Sequence, residues 1–485
     1  MTDTAAAPPR KVTRPFGWRD KIGYLFGDFG NDFTFILQAF FFLAFYTRVV
    51  GIDAAHVGTL LIAARLLDAF TDVGFGRFLD TRNTRGQEKF RPWILRGALP
   101  VAIASALMYM NFLAGWESYG ARVAWMVATY LLWGSITYTM INIPYGSMAS
   151  LISGDPDDRA QLSVFRSGGA ILAALIISVA VPLIVNIEVD GNSVLSGERM
   201  MWVGIAMSVG AVICYVLCYL NVQERVTAAK DVEDARHMGF GQVIRSVLGN
   251  RSLSGLVVAA LLLLVANLLP SGLVAFLWLD YFNAGSLQAV AGLAGLAPGL
   301  LLLYFAPLLA RRFGKREASV VALVIGGGIL ILAYFLDLQG QPTLFIVLFA
   351  LSQLSIAVFN FMIWAFIVDV IDDQEVRSGE RDDATIYGIY SWARKLGQAL
   401  AGGLAGWALG WVGYVSTTGT AQVQQSEGTL TGIYALSTLV PGLTLVAVAL
   451  ALQFLYPLSK KRVDANAAEL RRRRIAAGVE ATVTD

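Results

Sequence analysis

The chain has 485 residues, 56% of them hydrophobic and 15% charged, and its formal net charge is +2, with a mean hydropathy of +0.60. That much apolar surface exceeds what a soluble domain needs for its core and points to a polytopic membrane protein. The near-neutral balance offers nothing to a nucleic acid, and Cys214 and Cys218 at helical spacing, with His56 and His237 far from them, read as packing and loop residues rather than as a catalytic or metal cluster.

A spanning helix needs about 20 mostly apolar residues, because lipid offers a free peptide group no partner. Such runs predict an all-α membrane protein with twelve transmembrane helices. Six fall near residues 24–49, 57–79, 93–115, 121–149, 165–187 and 200–221. Six more fall near 252–280, 284–310, 318–338, 343–371, 385–411 and 431–456. The charge-mixed stretch "NVQERVTAAKDVEDARHMGFGQVIRSVLGNRS" separates them. We therefore expect an amino-terminal six-helix half at 1–222, a cytoplasmic linker at 223–251, a carboxyl-terminal half at 252–458 and a polar, partly disordered tail at 459–485.

Orientation follows from Lys and Arg, which short loops retain on the cytoplasmic side. One set of alternate loops is rich in base, including "GRFLDTRNTRGQEKFRPW", the central linker, "ARRFGKRE" and "VRSGERDD". The other set holds only Arg48, Arg122 and Arg199 of the chain's 37 basic residues. Both termini are expected to be cytoplasmic in a multi-pass protein of the cell membrane, in contact with membrane lipid and functional as a monomer. No pore-loop or filter-like segment supports a channel. Two bundles of six helices, with a short basic loop at corresponding positions, resemble the major facilitator fold, in which substrate binds near the midplane between halves.

The second span contains "ARLLDAFTD". At 100° per residue, Arg65, Asp68 and Asp72 share one helix face, within about 60° of one another. Each ionised side chain at the bilayer centre costs at least about 2.5–3.5 kcal/mol, so this face must meet protein or water. A buried salt-bridge triad is one reading. It leaves one negative charge over, which a sodium ion or a shared proton would answer. Asp28, Asn31 and Asp32 in span one, Tyr138, Thr139 and Asn142 in span four, Arg166 in span five, and Arg394 and Lys395 in span eleven add polar groups at similar depth.

"FGNDF", "ARLLDAFTD", "KFRPWIL", "TYTMINIPYGS" and "VDVIDDQEVRSGERDD" followed by "ARKLG" resemble, in order and spacing, the glycoside-pentoside-hexuronide:cation symporter family, whose best-known member is the melibiose permease. The resemblance covers residues 21–456. It implies a non-enzymatic secondary transporter that couples H+ or Na+ to a glycoside, pentoside or hexuronide, with no other cofactor or metal. It assigns the cation to Asp68, Asp72 and Thr139. It assigns the sugar to Asp32, with Asn31, Tyr138, Asn142, Arg166 and Lys395 around it. It assigns a cytoplasmic gate to Arg159, Asp369, Asp372 and Arg381.

The departures are specific. Asn31 and Gly146 stand where the melibiose permease has Lys and Trp, and Asn360 replaces its second-half tryptophan. Trp364, Trp392, Tyr387 and Tyr390 are the alternative stacking surfaces. Thr71 stands where sodium-using relatives tend to carry Asn, which tilts the cation toward H+. A lysolipid transporter of the same fold and a non-transporting membrane sensor are the rival readings.

Overall fold

The computed structural model describes residues 14–81, 88–226, 249–379, 383–419 and 423–476. Most of the linker and Arg381 lie outside the described residues.

The twelve expected spans are all present as helices. The first six are Trp18–Arg48, Ala54–Thr81, Arg91–Leu107, a fourth in two pieces (Tyr119–Leu131 and Thr139–Ile152), Pro156–Val185 and Gly197–Asn221. The seventh to eleventh are Arg251–Phe276, Leu287–Phe313, Lys315–Phe335, Pro342–Ser378 and Asp383–Trp411. The twelfth is again broken, into Glu427–Ser437 and Leu439–Leu450. Several helices run beyond the apolar window that the sequence marks. Span five, for instance, starts at Pro156, where Asp155 caps it by accepting from the Asp157 N–H at 2.8 Å.

Two elements differ from expectation. Span five ends at Val185, and a hairpin follows, with strand β1 (Asn186–Val189) antiparallel to β2 (Asn192–Leu195). Asp190 and Gly191, both at positive φ (52° and 78°), make the tight Asp-Gly turn that suits such a hairpin. The tail is also more ordered than its composition suggests, because Lys460–Ala476 is a helix. Asp373, 1% exposed at its side chain, anchors it by pairing with Arg462 at 3.3 Å and accepting from Asn466 at 3.2 Å. Ser252 also donates to Asp373, at 2.8 Å. Leu470, 3% exposed, and Val463, packed against the core, add apolar contact to this polar anchor.

The helices before residue 227 meet those after 248 most closely at the face opposite the chain termini. Spans two and eleven cross there through glycine. A Cβ on Gly403 would sit 2.5 Å from the Gly58 carbonyl oxygen, and one on Gly406 would sit 2.7 Å from the Gly58 Cα. No larger residue permits that approach. Beside the crossing, the loop after span eleven lies against the end of span one. The Thr417 and Gly419 N–H groups donate to the Thr47 and Val49 carbonyls at 2.9 and 2.8 Å. Beneath this backbone seam, Arg48 of span one makes an ion pair with Asp280 at the end of span seven, each only 11% exposed at the side chain. The Tyr414 hydroxyl donates to the same carboxylate at 3.4 Å.

Removing one partner of a buried ion pair costs about 3–5 kcal/mol, mostly for the charge left behind. Asp280→Ala is therefore expected to loosen this face. In a chain with Cys214 and Cys218 replaced and Ser178→Cys introduced below the seam, a membrane-impermeant thiol reagent applied from that face should react at least several-fold faster. An unchanged rate would show that the pair does not hold the face shut.

Candidate functional site

Spans two and four run in the same direction, and their contacts repeat at a constant offset. The Ser135 hydroxyl donates to Asp68 Oδ1 at 2.5 Å and the Thr139 hydroxyl to Asp72 Oδ1 at 2.9 Å, each pair 67 residues apart. Carboxylates four residues apart on one helix thus face hydroxyls four residues apart on its neighbour. The register depends on a widened turn, since Leu132–Tyr138 is π-helical. Hydroxyls fill the gaps that such a turn opens in the backbone ladder. Thr137 donates to the Leu132 carbonyl at 3.0 Å and to that of Trp133 at 3.1 Å.

Arg65 completes the face. Its guanidinium lies 3.7 Å from Asp68 Oδ2 and 5.0 Å from the centroid of the Phe35 ring. Arg65, Asp68 and Asp72 thus share one face, as their spacing implies. Thr71, the residue between the acids, turns its hydroxyl onto its own helix and donates to the Asp68 carbonyl at 3.1 Å.

A second constellation adjoins the first through span one. Asn31, 3% exposed, donates to the Tyr138 hydroxyl at 2.8 Å and to Asn142 Oδ1 at 3.5 Å, and accepts from Tyr215 of span six at 3.4 Å. Asp32 is half-buried, and its carboxylate makes no hydrogen bond or ion pair with a described residue. It is the one acid of this group held ready for a ligand. Asp28 differs, because Arg166 Nε donates to it at 3.0 Å while the guanidinium rides 5.3 Å from the Tyr145 ring centroid. Arg166 therefore answers an acid on the neighbouring span one.

Of the two bases of span eleven, only the Arg394 side chain is described. Arg394 lies 5.8 Å from the Trp364 ring centroid. Lys395 is in the helix, and its side chain lies outside the described residues. Among the stacking candidates, Tyr390 is 0% exposed, so it offers a ligand no face, whereas Trp364 is 46% exposed. The side chains of Trp392 and Tyr387 are likewise not described. An aromatic surface exists instead beside Asn31, where Phe35 stacks on Tyr138 at 5.8 Å.

Of the expected gate, Arg159, Asp369 and Asp372 lie among the described residues. Arg159 donates to the Gly154 carbonyl at 3.3 Å, on an exposed turn, and pairs with no described acid. Asp369 takes Lys315 of span nine at 2.6 Å, and Asp372 lies one turn further along the same helix. Arg381 is outside the described residues.

Sequence reasoning named Asp68, Asp72, Thr139, Asn31, Tyr138 and Asn142, which the structure brings together. It missed Ser135, Tyr215 and Phe35. The signal for Ser135 was its four-residue spacing from Thr139, which matches that of Asp68 and Asp72.

Over residues 23–460 the sequence matches the family described as MFS/sugar transport protein. It is 32% identical over 450 residues to the uncharacterized symporter YjmB of Bacillus subtilis, covering 92% of this chain and 93% of that one. It is 30% identical over 468 residues to the putative glycoside/cation symporter YagG of Escherichia coli, covering 95% and 96%. Among solved structures, the inward open xylose transporter XylE from E. coli superposes with a TM-score of 0.57 at 14% identity, covering 93% of this chain and 98% of that one. The fold is that of the major facilitator transporters.

The Asp28–Arg166 pair yields a test of local structure. Asp28→Ala or Arg166→Leu alone is expected to lower the thermal unfolding midpoint in detergent more than the double variant does, since only the single changes strand a charge. Additive losses would mean that the two side chains do not support each other.

Proposed function

This chain belongs to the MFS/sugar transport protein family, and on that premise we propose that it carries a glycoside, pentoside or hexuronide across the cell membrane together with a cation, H+ or Na+. The chain is a multi-pass secondary transporter of a small molecule, not an enzyme. The observation that carries the finer reading is the pairing of two acids with two hydroxyls, beside an Asp32 that has no hydrogen-bond or ion-pair partner among the described residues.

In this reading Asp68, Asp72 and Thr139, joined by Ser135, hold the cation. Asp32 accepts hydrogen bonds from sugar hydroxyls, while Asn31, Tyr138 and Asn142 form a pre-set polar frame. Arg166 keeps Asp28 compensated, and Lys395 approaches from span eleven. The halves move as units, at 1–222 and 252–458, joined by the linker at 223–251 and followed by the tail at 459–485. Both termini are cytoplasmic and the monomer suffices. The Arg48–Asp280 seam then closes the outer face, so this conformation is open inward, and the gate of Arg159, Asp369, Asp372 and Arg381 forms only when the chain turns outward.

Coupling follows from charge. Without a bound cation, the two carboxylates of the cation face resist the desolvation that occlusion imposes. A bound cation removes that cost and firms spans one, two and four around the sugar frame. A single positive charge moving with the sugar draws about 2.3 kcal/mol per 100 mV, enough for roughly fifty-fold accumulation.

The test is substrate-dependent alkalinisation and uptake in proteoliposomes, with and without sodium, across glycosides, pentosides and uronides. Asp68→Asn and Asp72→Asn are expected to abolish concentrative uptake and to spare downhill exchange. Concentrative uptake by either variant would overturn the coupling role. Ser135→Ala, which takes one donor from the cation face, should raise the half-saturating cation concentration about tenfold. An unshifted cation dependence would remove Ser135 from the site.

A further inference from the structure

A separate chamber of about 160 Å³ lies under the closed face, among spans one, five, seven, eight, nine, ten and twelve. Its walls are aromatic, formed by Phe40, Trp278, Phe345 and Phe349. Trp278 and Phe345 are 1% and 2% exposed, so the walls are fixed by packing behind them. No acid lines it.

Three polar groups interrupt this apolar surface without partners of their own. Ser437 is 5% exposed, and its hydroxyl has no hydrogen-bond partner. Gln353 makes no hydrogen bond with a described residue. Asn267 donates one N–H to the Leu263 carbonyl at 3.2 Å and leaves its carbonyl oxygen without a described partner. Unpaired polar groups at this depth are costly, and a packed core would have replaced them with apolar ones.

The backbone is irregular at the same place. Ser437 is the last residue of its helix, and Thr438 (φ −128°, ψ −66°) breaks span twelve before Leu439 resumes it. Broken helices persist at membrane depth where they line a cavity, and such breaks mark ligand sites in transporters. Apolar walls with a few convergent polar groups are the usual make-up of a small-molecule pocket.

The position relates the chamber to the sugar frame. Phe40 lies eight residues beyond Asp32 on span one, a rise of about 12 Å. A sugar at Asp32 with a ring-bearing group on its anomeric oxygen reaches across that interval. We infer that this chamber is an aglycone subsite, which takes the apolar, ring-bearing part of a glycoside and meets its polar substituents with Asn267, Gln353 and Ser437. The inference rests on the sugar reading above and adds the class of glycoside to it.

The experiment compares methyl, phenyl and 4-nitrophenyl glycosides of β-D-glucuronic acid, α-D-galactose and β-D-xylose for binding to the full chain in proteoliposomes, read by competition and by quenching of tryptophan fluorescence. At least one aryl glycoside is expected to bind about tenfold or more tighter than its methyl counterpart, with quenching by the nitrophenyl group lost in Trp278→Phe. Ser271 also lines the chamber, and its hydroxyl serves only its own helix, donating to the Asn267 carbonyl at 2.7 Å. Ser271→Phe should fill the space, erase the aryl advantage and leave the methyl glycoside unchanged. Ser437→Val should lower the ratio of 4-nitrophenyl to phenyl affinity. If methyl glycosides bind and aryl groups add nothing, the subsite is wrong and the sugar reading stands. If no glycoside of any kind binds, the sugar reading fails and takes the subsite with it. Should Ser271→Phe lose methyl and aryl glycosides alike while Ser437→Val keeps the wild-type ratio, the subsite is overturned as well.

Discussion

Two carboxylates in the middle of an apolar helix dictate much of what surrounds them. Asp68 and Asp72 cannot face lipid, so span two turns them toward span four. Span four in turn departs from regular α-helix over Leu132–Tyr138, and that widened turn presents Ser135 and Thr139 at the matching spacing. Arg65 supplies one compensating charge and is itself held over Phe35, whose other neighbour is Tyr138 of the sugar frame. Acids, hydroxyls, arginine and aromatic ring therefore form one connected unit. Under the proposed symport, neutralising the face and ordering the frame would be one physical event, and coupling would follow from it.

A second constraint acts at the face opposite the termini. Glycine contact between spans two and eleven lets two backbones touch, and the strand-like seam at Thr417 and Gly419 adds hydrogen bonds on top. Contacts of this kind are all-or-none, because backbones either touch or are separated by lipid and water. The Arg48–Asp280 pair is part of the same switch, stable only while both charges are enclosed together.

On the proposed reading, the chamber behind Trp278 and Phe345 and the acid cluster divide the labour of recognition by chemistry. The polar groups of spans one and four suit hydroxyls, and the aromatic walls supplied mainly by spans seven and ten suit what hydroxyls are attached to. The break at Thr438 makes sense only in that context, because an interrupted helix surrounded by lipid would leave peptide groups without partners.

The sequence alone determined the spans, their number and the face on which Arg65, Asp68 and Asp72 lie. These follow from local rules, the length of an apolar run and 3.6 residues per turn, which no partner helix can alter. The identity of the groups around Asp32 was legible for the same reason, with the help of a resemblance carried by short motifs. What only the tertiary structure decided is pairing across helices. That Arg166 serves Asp28, that Ser135 rather than Thr71 turns to the acids, that the tail helix clasps Asp373 and that the seam sits at one face all depend on which helices touch and in what register. A sequence records the period of each helix but not the rotation and offset of its neighbours, and in this protein charge compensation is a property of those offsets.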